Sequence, residues 1–485
     1  MTPRLSILAA LAFAALQGCA TNSAAASGEA SAPWIEAGPL QPILRDDGTT
    51  DPRLRGAWAS HGYGFVLAID EDGVTRFQSG ETCYAPRREG EALSAMDSIT
   101  YRYFREIEPG KSAIFQLLDG DTNVVFERLP ALPEACTSAP EAGPEAVAAA
   151  FLDHFERHYA FFDRRPPGHD ERAARVRASV GPETGEAELW DALAAYMEGL
   201  SDSHTKLIGA VAGERRRVQD GQGTTLPRIR ASKGGEGSWL LNLIGQAKKR
   251  LGKSAHHEAQ DRILWGMIDE PKTGARIGYL QVFVMGGFTT REDFASPEWA
   301  AAEMAEFDRV MDEAMTAFGG ADAVIVDLSN NRGGWDRVAK ALPSRFASAP
   351  FTGFTTVSQG SGLAPFPHSI IPAALTYIGP VFLMTSDVTV SGGELATLAF
   401  RQLPNVTHVG SRTRGAFSTP LAKPLPNGWL LELSNETFAA PDGTVFEETG
   451  IAPQVALAIY PEDAPVAGHW EAVMKVAAMA GRASQ

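Results

Sequence analysis

Between residues 54 and 132, apolar positions alternate with polar ones or gather in short runs, the spacing of half-buried strands. Phe65-Val66-Leu67-Ala68-Ile69 and Val74-Thr75-Arg76-Phe77-Gln78 flank Glu71-Asp72-Gly73, a hairpin signal. Ala113 to Leu118 and Asn123 to Leu129 flank Asp119-Gly120-Asp121 in the same way, and Ser98 to Phe104 alternates through Ile99, Tyr101 and Tyr103. The pattern predicts a small antiparallel β domain over 45–137. At Pro144 the period changes. Val147, Phe151, Phe155 and Tyr159 recur every fourth residue, as do Leu189, Leu193 and Met197, predicting two amphipathic helices of a small bundle over 144–205. Residues 206–275 form a mixed connecting region. It holds a glycine-rich stretch from Lys233 to Gly237 and an amphipathic segment whose Lys248-Lys249-Arg250 suits a solvated face. From Ile277 strands alternate with helices. Ile277–Phe283, Ala321–Ser329 and Val381–Met384 read as buried strands, Pro297–Phe318 as a long helix, and the segments around 406–410, 429–434 and 455–460 as late strands. This is an α/β core over 276–462, followed by a C-terminal helix in 463–485. There are no internal repeats.

Length and charge narrow the class. A chain of 485 residues exceeds a single core. Its formal net charge of −16 excludes a nucleic-acid binder and fits a soluble, self-repelling surface. At the N-terminus, Arg4 precedes an apolar run from Leu5 to Leu16, too short to span a bilayer and arranged like a secretory signal. Leu16-Gln17-Gly18-Cys19 resembles the lipobox of bacterial lipoproteins, in which the cysteine is lipidated and becomes the mature N-terminus. That resemblance implies a signal segment over 1–19, lipidation at Cys19 and residence in the bacterial periplasm, with membrane attachment by the lipid anchor only. Residues 20–44 then form a flexible Ala/Ser-rich tether. Cys83 and Cys136 remain, and in an exported protein they are read as one disulfide. Closing that loop stabilises the fold by about 4 kcal/mol on the chain-entropy model.

The chemistry centres on Pro380 to Glu394. A buried strand ends in Thr-Ser-Asp, and Ser391-Gly392-Gly393-Glu394 opens the next helix. A serine there suits a nucleophile, because a helix N-terminus presents unpaired N–H groups and glycines let a carbonyl approach the backbone. It equally suits a helix N-cap. A serine hydroxyl needs a base, and His204 is the candidate. Gly333-Gly334, after a buried strand, can offer N–H groups to an oxyanion, each typically contributing about 3–4 kcal/mol in the transition state. Glu447 could orient the base, and Glu448 is adjacent. His154 and His158 have a metal-ligand spacing but no third ligand and no H-E-x-x-H, so they read as solvated or half-buried helix residues. No metal or cofactor is implied.

Six segments stand in a telling order: Asp202-Ser203-His204-Thr205, Ile277–Phe283, Asp327–Gly334 (DLSNNRGG), Thr385–Glu394, Val409–Ser418, and Phe446–Gln454. Together they resemble the C-terminal processing, or tail-specific, proteases, a superfamily that includes the tricorn core protease and interphotoreceptor retinoid-binding protein. The likeness covers roughly Pro144 to Tyr460. It implies a crotonase/ClpP-like α/β core with an N-terminal helical bundle, here preceded by the small all-β domain. One branch of the family pairs serine with a lysine about 25 residues on, where this chain has Ala416. The tricorn-like branch uses Ser-His-Ser-Glu, matched by Ser203, His204, Ser391 and Glu447. By the same resemblance the oxyanion hole is the N–H of Gly392 with that of Gly333 or Gly334. Two departures stand out. No PDZ pattern lies between Thr205 and Arg276, and DLSNNRGG lacks the arginine and proline usual in that motif.

The reading is an exported serine endopeptidase that cuts peptides or unfolded proteins through an acyl-enzyme on Ser391, with His204 as general base. The alternative is a catalytically silent member that binds an apolar ligand or peptide. Oligomeric state has no sequence signal. A β-lactamase-like hydrolase fits poorly: Ser203-His204-Thr205-Lys206 spells S-x-x-K and Lys272-Thr273-Gly274 spells K-T-G, but S-D-N is absent.

Overall fold

The alternating segments of the N-terminal region pair into one eight-stranded antiparallel sheet in the order β1-β6-β7-β8-β2-β3-β4-β5. Its strands are β1 (Gln41–Pro42), β2 (Gly56–Ser60), β3 (Phe65–Ile69), β4 (Val74–Ser79), β5 (Cys83–Tyr84), β6 (Tyr103–Glu108), β7 (Ser112–Gln116) and β8 (Val124–Leu129). Both predicted hairpins form, with Ile69 opposite Val74 and Phe115 opposite Val124. The computed structural model describes residues 37–86, 93–94, 100–165 and 167–483. The lipobox-like segment with Cys19, residues 20–36 of the tether and Ile99 lie outside them. The tether expected over 20–44 stops short of residue 44, because Gln41–Pro42 pairs with β6 and Ile43 is buried. Cys83 of the edge strand β5 is bonded to Cys136 in a 3-10 turn, Cα to Cα 4.5 Å.

Three helices follow: α1 (Pro144–His158), α2 (His169–Ser179) and α3 (Glu186–Met197). The middle one has no counterpart in the pattern above, since it buries only Arg172, Ala173 and Val176. One core runs from Trp58, Phe115 and Phe126 of the sheet through Phe151, Phe155 and Tyr196 of the helices to Leu207 and Leu431. The β region and the bundle therefore share an interior rather than forming separate domains.

The rest of the chain contributes β9 (Lys206–Val211), β10 (Glu214–Gln219), α4 (Thr225–Ala231), α5 (Gly235–Leu251), β11 (His256–Glu258), β12 (Ile263–Asp269), β13 (Arg276–Val282), α6 (Pro297–Phe318) and β14 (Ala323–Asp327). After these come α7 (Asp336–Ser344), β15 (Phe351–Ser358), β16 (Phe366–Ile370), β17 (Val381–Thr385), α8 (Gly392–Phe400), β18 (Val406–Gly410), β19 (Pro420–Pro424), β20 (Leu430–Ser434), β21 (Glu436–Ala439), β22 (Val455–Ala456) and α9 (Ala467–Ala483). A seven-stranded sheet, β11-β12-β13-β14-β17-β18-β22, is parallel from β13 onward. β11 and β12, from the connecting region before residue 276, also join this sheet. The connecting region also supplies β9 and β10 to a second sheet, β10-β9-β20-β19.

The apolar runs of β14 and β17 follow from burial on both faces. Val324, Val326, Val381 and Leu383 pack toward α6, α7 and α8, while Ala323, Ile325, Phe382 and Met384 pack toward α5 and α9. The carboxyl ends of β14 and β17 then open into the Leu328–Gly334 and Ser386–Ser391 loops, where parallel α/β sheets place their ligands. Among the described residues no helix is long and apolar enough to cross a membrane.

Candidate active site

Ser391 sits at the N-terminus of α8, half-buried, with φ 57° and ψ −125°. Its hydroxyl makes no capping hydrogen bond. A non-glycine residue in that region typically costs about 1–3 kcal/mol and persists only where its surroundings over-determine it. Here they do. Ser391 N donates to Ala416 O at 2.9 Å, and its carbonyl accepts from Glu394 N at 2.7 Å and Leu395 N at 3.0 Å. The Glu394 carboxylate, buried in the same helix, accepts from Gly415 N at 2.7 Å and Ala416 N at 2.8 Å. Glu394 thus locks the 415–416 loop onto the turn that carries Ser391. Burial pushes its carboxyl up to about 7, against these hydrogen bonds.

Gly333 and Gly334 lie against that turn. A Cβ at Gly333 would come within 2.6 Å of Ser391 Cβ, and one at Gly392 would come within 3.2 Å of Gly334 N. The first contact requires glycine, while the second leaves a side chain only tight room. The two glycines of the 333–334 pair differ in one respect. Gly333 N donates to Asn331 Oδ1 at 2.9 Å, whereas Gly334 N and Gly392 N have no acceptor among the described residues. Two neighbouring free N–H groups, one at a helix N-terminus, form a cradle for negative charge beside Ser391.

Ser203 and His204 stand in the turn between α3 and β9. The Asp202 carboxylate shapes this turn, accepting from His204 N at 2.9 Å and Thr205 N at 3.3 Å. It also accepts the hydroxyls of Tyr159, Thr205 and Ser434, each at 3.0 Å. Burial works against its charge, but Arg165, His204 and the hydrogen bonds hold the carboxyl below its usual range. Burial, with Lys206 adding to it, depresses the His204 imidazole to about 4, so it is neutral near pH 7. Its Nδ1 and the Ser203 hydroxyl are buried without a partner. Ser203, His204 and Val390, the residue before Ser391, line one open cleft of about 460 Å³. The Ser391 hydroxyl and the imidazole are not hydrogen-bonded to each other, and such bonds commonly tighten only when substrate binds.

Glu447 is fully buried and accepts from Phe417 N at 2.8 Å, Ser418 N at 3.3 Å and Arg165 Nη2 at 3.3 Å. Among the described residues no hydrogen bond joins it to His204 or Ser203. Burial, then Asp202, pushes its carboxyl up to about 8 despite Arg165. Glu448 points to solvent. Asp202, Arg165 and Glu394 escaped the reading of the sequence. Asp202 had a signal, as the first letter of D-S-H-T; Arg165 had none.

His154 and His158 are buried, not solvated. His154 Nε2 meets Tyr84 Oη at 3.1 Å, and His158 Nδ1 meets Gly62 O at 3.1 Å. Among the described residues no cluster of side chains could hold a metal ion. Lys206 of the S-x-x-K match is paired with Glu432, and Lys272-Thr273-Gly274 forms the β12–β13 turn around the Glu270 carboxylate.

Residues 276–457 match the model of Peptidase family S41. No curated protein sequence matches. A crystal structure of a putative peptidase from Parabacteroides merdae is similar with a TM-score of 0.55 at 21% identity, covering 70% of this chain and 97% of its own, and shows the shared fold. Mature CPAF bound to lactacystin aligns with a TM-score of 0.49 at 12% identity over 69% of this chain and 99% of its own. The photosystem II D1 C-terminal processing protease aligns with a TM-score of 0.41 at 12% identity over 69% of this chain and 97% of its own. Residues 276–457 thus carry the pattern of Peptidase family S41, a match that supports a serine-type peptidase.

Proposed function

We propose that the chain is an exported endopeptidase acting on peptides or unfolded proteins, with Ser391 as nucleophile and His204 as general base. The observation that carries this reading is the pair of free N–H groups on Gly334 and Gly392 beside a strained, uncapped Ser391. Ser391 Oγ attacks the scissile carbonyl while the neutral imidazole takes its proton. The carbonyl oxygen gains charge within reach of Gly334 N and Gly392 N. His204 then returns the proton to the leaving amine, and water hydrolyses the acyl-enzyme by the same route. Ser203 and Glu447 belong to the set by family resemblance. In this reading Ser203 offers its unpaired hydroxyl next to the base, and Glu447 acts at one remove, through Arg165 and the 417–418 backbone.

Export to the bacterial periplasm, with lipidation at Cys19, is supported by the charged and apolar leader. The Cys83–Cys136 bond, typical of oxidising compartments, points the same way.

The test is peptide cleavage by the protein lacking residues 1–19 and by its Ser391→Ala counterpart. Each receives a diverse mixture of unfolded peptides, read by mass spectrometry. Fragments that appear only with Ser391 present establish the mechanism's nucleophile. Intact peptides in both reactions would refute the proposal.

A further inference from the structure

The cleft next to Ser391 has a charge opposite to that of the protein around it. Lys206, Arg217, Arg230 and Arg414 line it with Gln219 and Gln222, and among the described residues no aspartate or glutamate does, in a chain of formal net charge −16. Two of the cations are already matched, Lys206 by Glu432 and Arg230 by Glu236. The other two are in no ion pair within 4 Å, although the Asp387 and Glu394 carboxylates lie near Arg414. Arg217 is exposed and its guanidinium reaches only the Gln219 side chain. Arg414 donates Nε to Asp387 O at 2.7 Å, while its Nη2 is buried without an acceptor. The Asp387 carboxylate is engaged elsewhere, by Thr224 N and Thr225 N at 2.8 Å each.

Arg414 is also fixed to the nucleophile turn. Its own N donates to Thr389 O at 3.0 Å, and Ala416, two residues on, accepts from Ser391 N. A half-buried guanidinium with an unused N–H is costly unless an anion completes it. Building on the peptidase reading above, we propose that this cleft selects substrate segments with an acidic side chain close to the scissile bond. A carboxylate on the substrate would meet Arg414 and Arg217 as the scissile carbonyl reaches Ser391.

The experiment separates this specificity from catalysis. The full chain carrying Ser391→Ala is titrated with fluorescent decapeptide twins that differ by Glu against Gln at one position, C-terminally amidated. The Glu twin should bind about tenfold tighter at low salt. That ratio should shrink at high ionic strength and by at least about threefold with Arg414→Gln or Arg217→Gln. Equal affinity, or no binding of either twin, overturns the inference. Tight binding that follows a free C-terminal carboxylate and ignores Glu also overturns it, because the cations would then hold the chain end. If the wild type cuts both twins equally, the peptidase stands and only the specificity fails. If it cuts neither while the variant prefers the Glu twin, the peptidase proposal fails and the acidic site stands.

Discussion

Arg165 and Glu447 meet as a buried hydrogen-bonded pair, Nη2 3.3 Å from Oε1, with each side chain only 1% exposed. Arg165 also donates to the carbonyls of Leu200 at 3.1 Å and Ser201 at 2.6 Å, just before Asp202, and of Gly415 at 3.4 Å. One guanidinium thus joins the loop that carries His204 to the loop on which Ser391 leans. Removing Arg165 strips the Leu200, Ser201 and Gly415 carbonyls of their donor, and buried groups left unsatisfied typically cost about 1–3 kcal/mol each. Arg165→Met should therefore lower unfolding stability by about that much in urea denaturation. A loss below about 1 kcal/mol would show that the pair does not hold these loops together.

The His204 environment predicts an unusual acid limb. Its imidazole titrates at about 4 in the fold, below the usual 6.5, because burial and Lys206 disfavour the charged form. The neutral base survives well into the acid range. Peptide kcat/KM, followed against pH, should fall through about pH 4 and not near 6.5. For stability the sign is the same. The folded value lies below the unfolded one, so the contribution of His204 is complete above 6.5 and is lost as pH falls toward 4. A rate profile that breaks near 6.5 would place an ordinary, solvated histidine in the base's role.

Gly334 has φ 129°, and a Cβ there would lie 2.5 Å from Met285 O and 2.9 Å from Met285 C. Both are backbone atoms that cannot swing aside. Gly334→Ala must move the N–H proposed for the oxyanion, and loss of one such donor costs about 10²–10³ in kcat. The control is Gly73→Ala, at a turn where the added carbon meets nothing within 4 Å. Comparable kcat in the two variants would remove Gly334 from the chemistry.

The strands were legible wherever burial was periodic. Runs such as Val324–Val326 and Val381–Met384 are apolar throughout because both faces of a parallel sheet are covered. Helix α2 was not legible, since it buries few apolar residues and is held by Arg172 donating to the backbone at Pro167 and Glu198. The nucleophile turn and the glycine pair were visible as motifs, but local spacing could not choose between Gly333 and Gly334. That choice depends on the Asn331 side chain folding back onto Gly333 N. Nor could it show that Glu447 faces Arg165, a partner 282 positions away in sequence. Pairwise electrostatics of this kind is set by tertiary contact and leaves no periodic trace.

Glu436 supplies a test of how the N-terminal sheet is bound to the core. On β21 its carboxylate accepts the Tyr63 hydroxyl at 2.5 Å and the Thr122 hydroxyl at 3.4 Å, both from the N-terminal region. Burial pushes this carboxyl up to about 7 from 4.5. A folded value above the unfolded one means that its stabilisation is complete below about pH 4.5 and is lost as pH rises through about 7. Over that interval the loss is of order 3 kcal/mol, at about 1.4 kcal/mol per unit. Glu436→Gln keeps the shape and cannot ionise. Its melting temperature relative to wild type should therefore rise from pH 4.5 to pH 8, crossing from near parity to a clear advantage for the variant. If the two melting curves instead shift in parallel across that range, Glu436 is ionised in the fold, and the Tyr63 and Thr122 hydroxyls suffice to hold its charge between sheet and core.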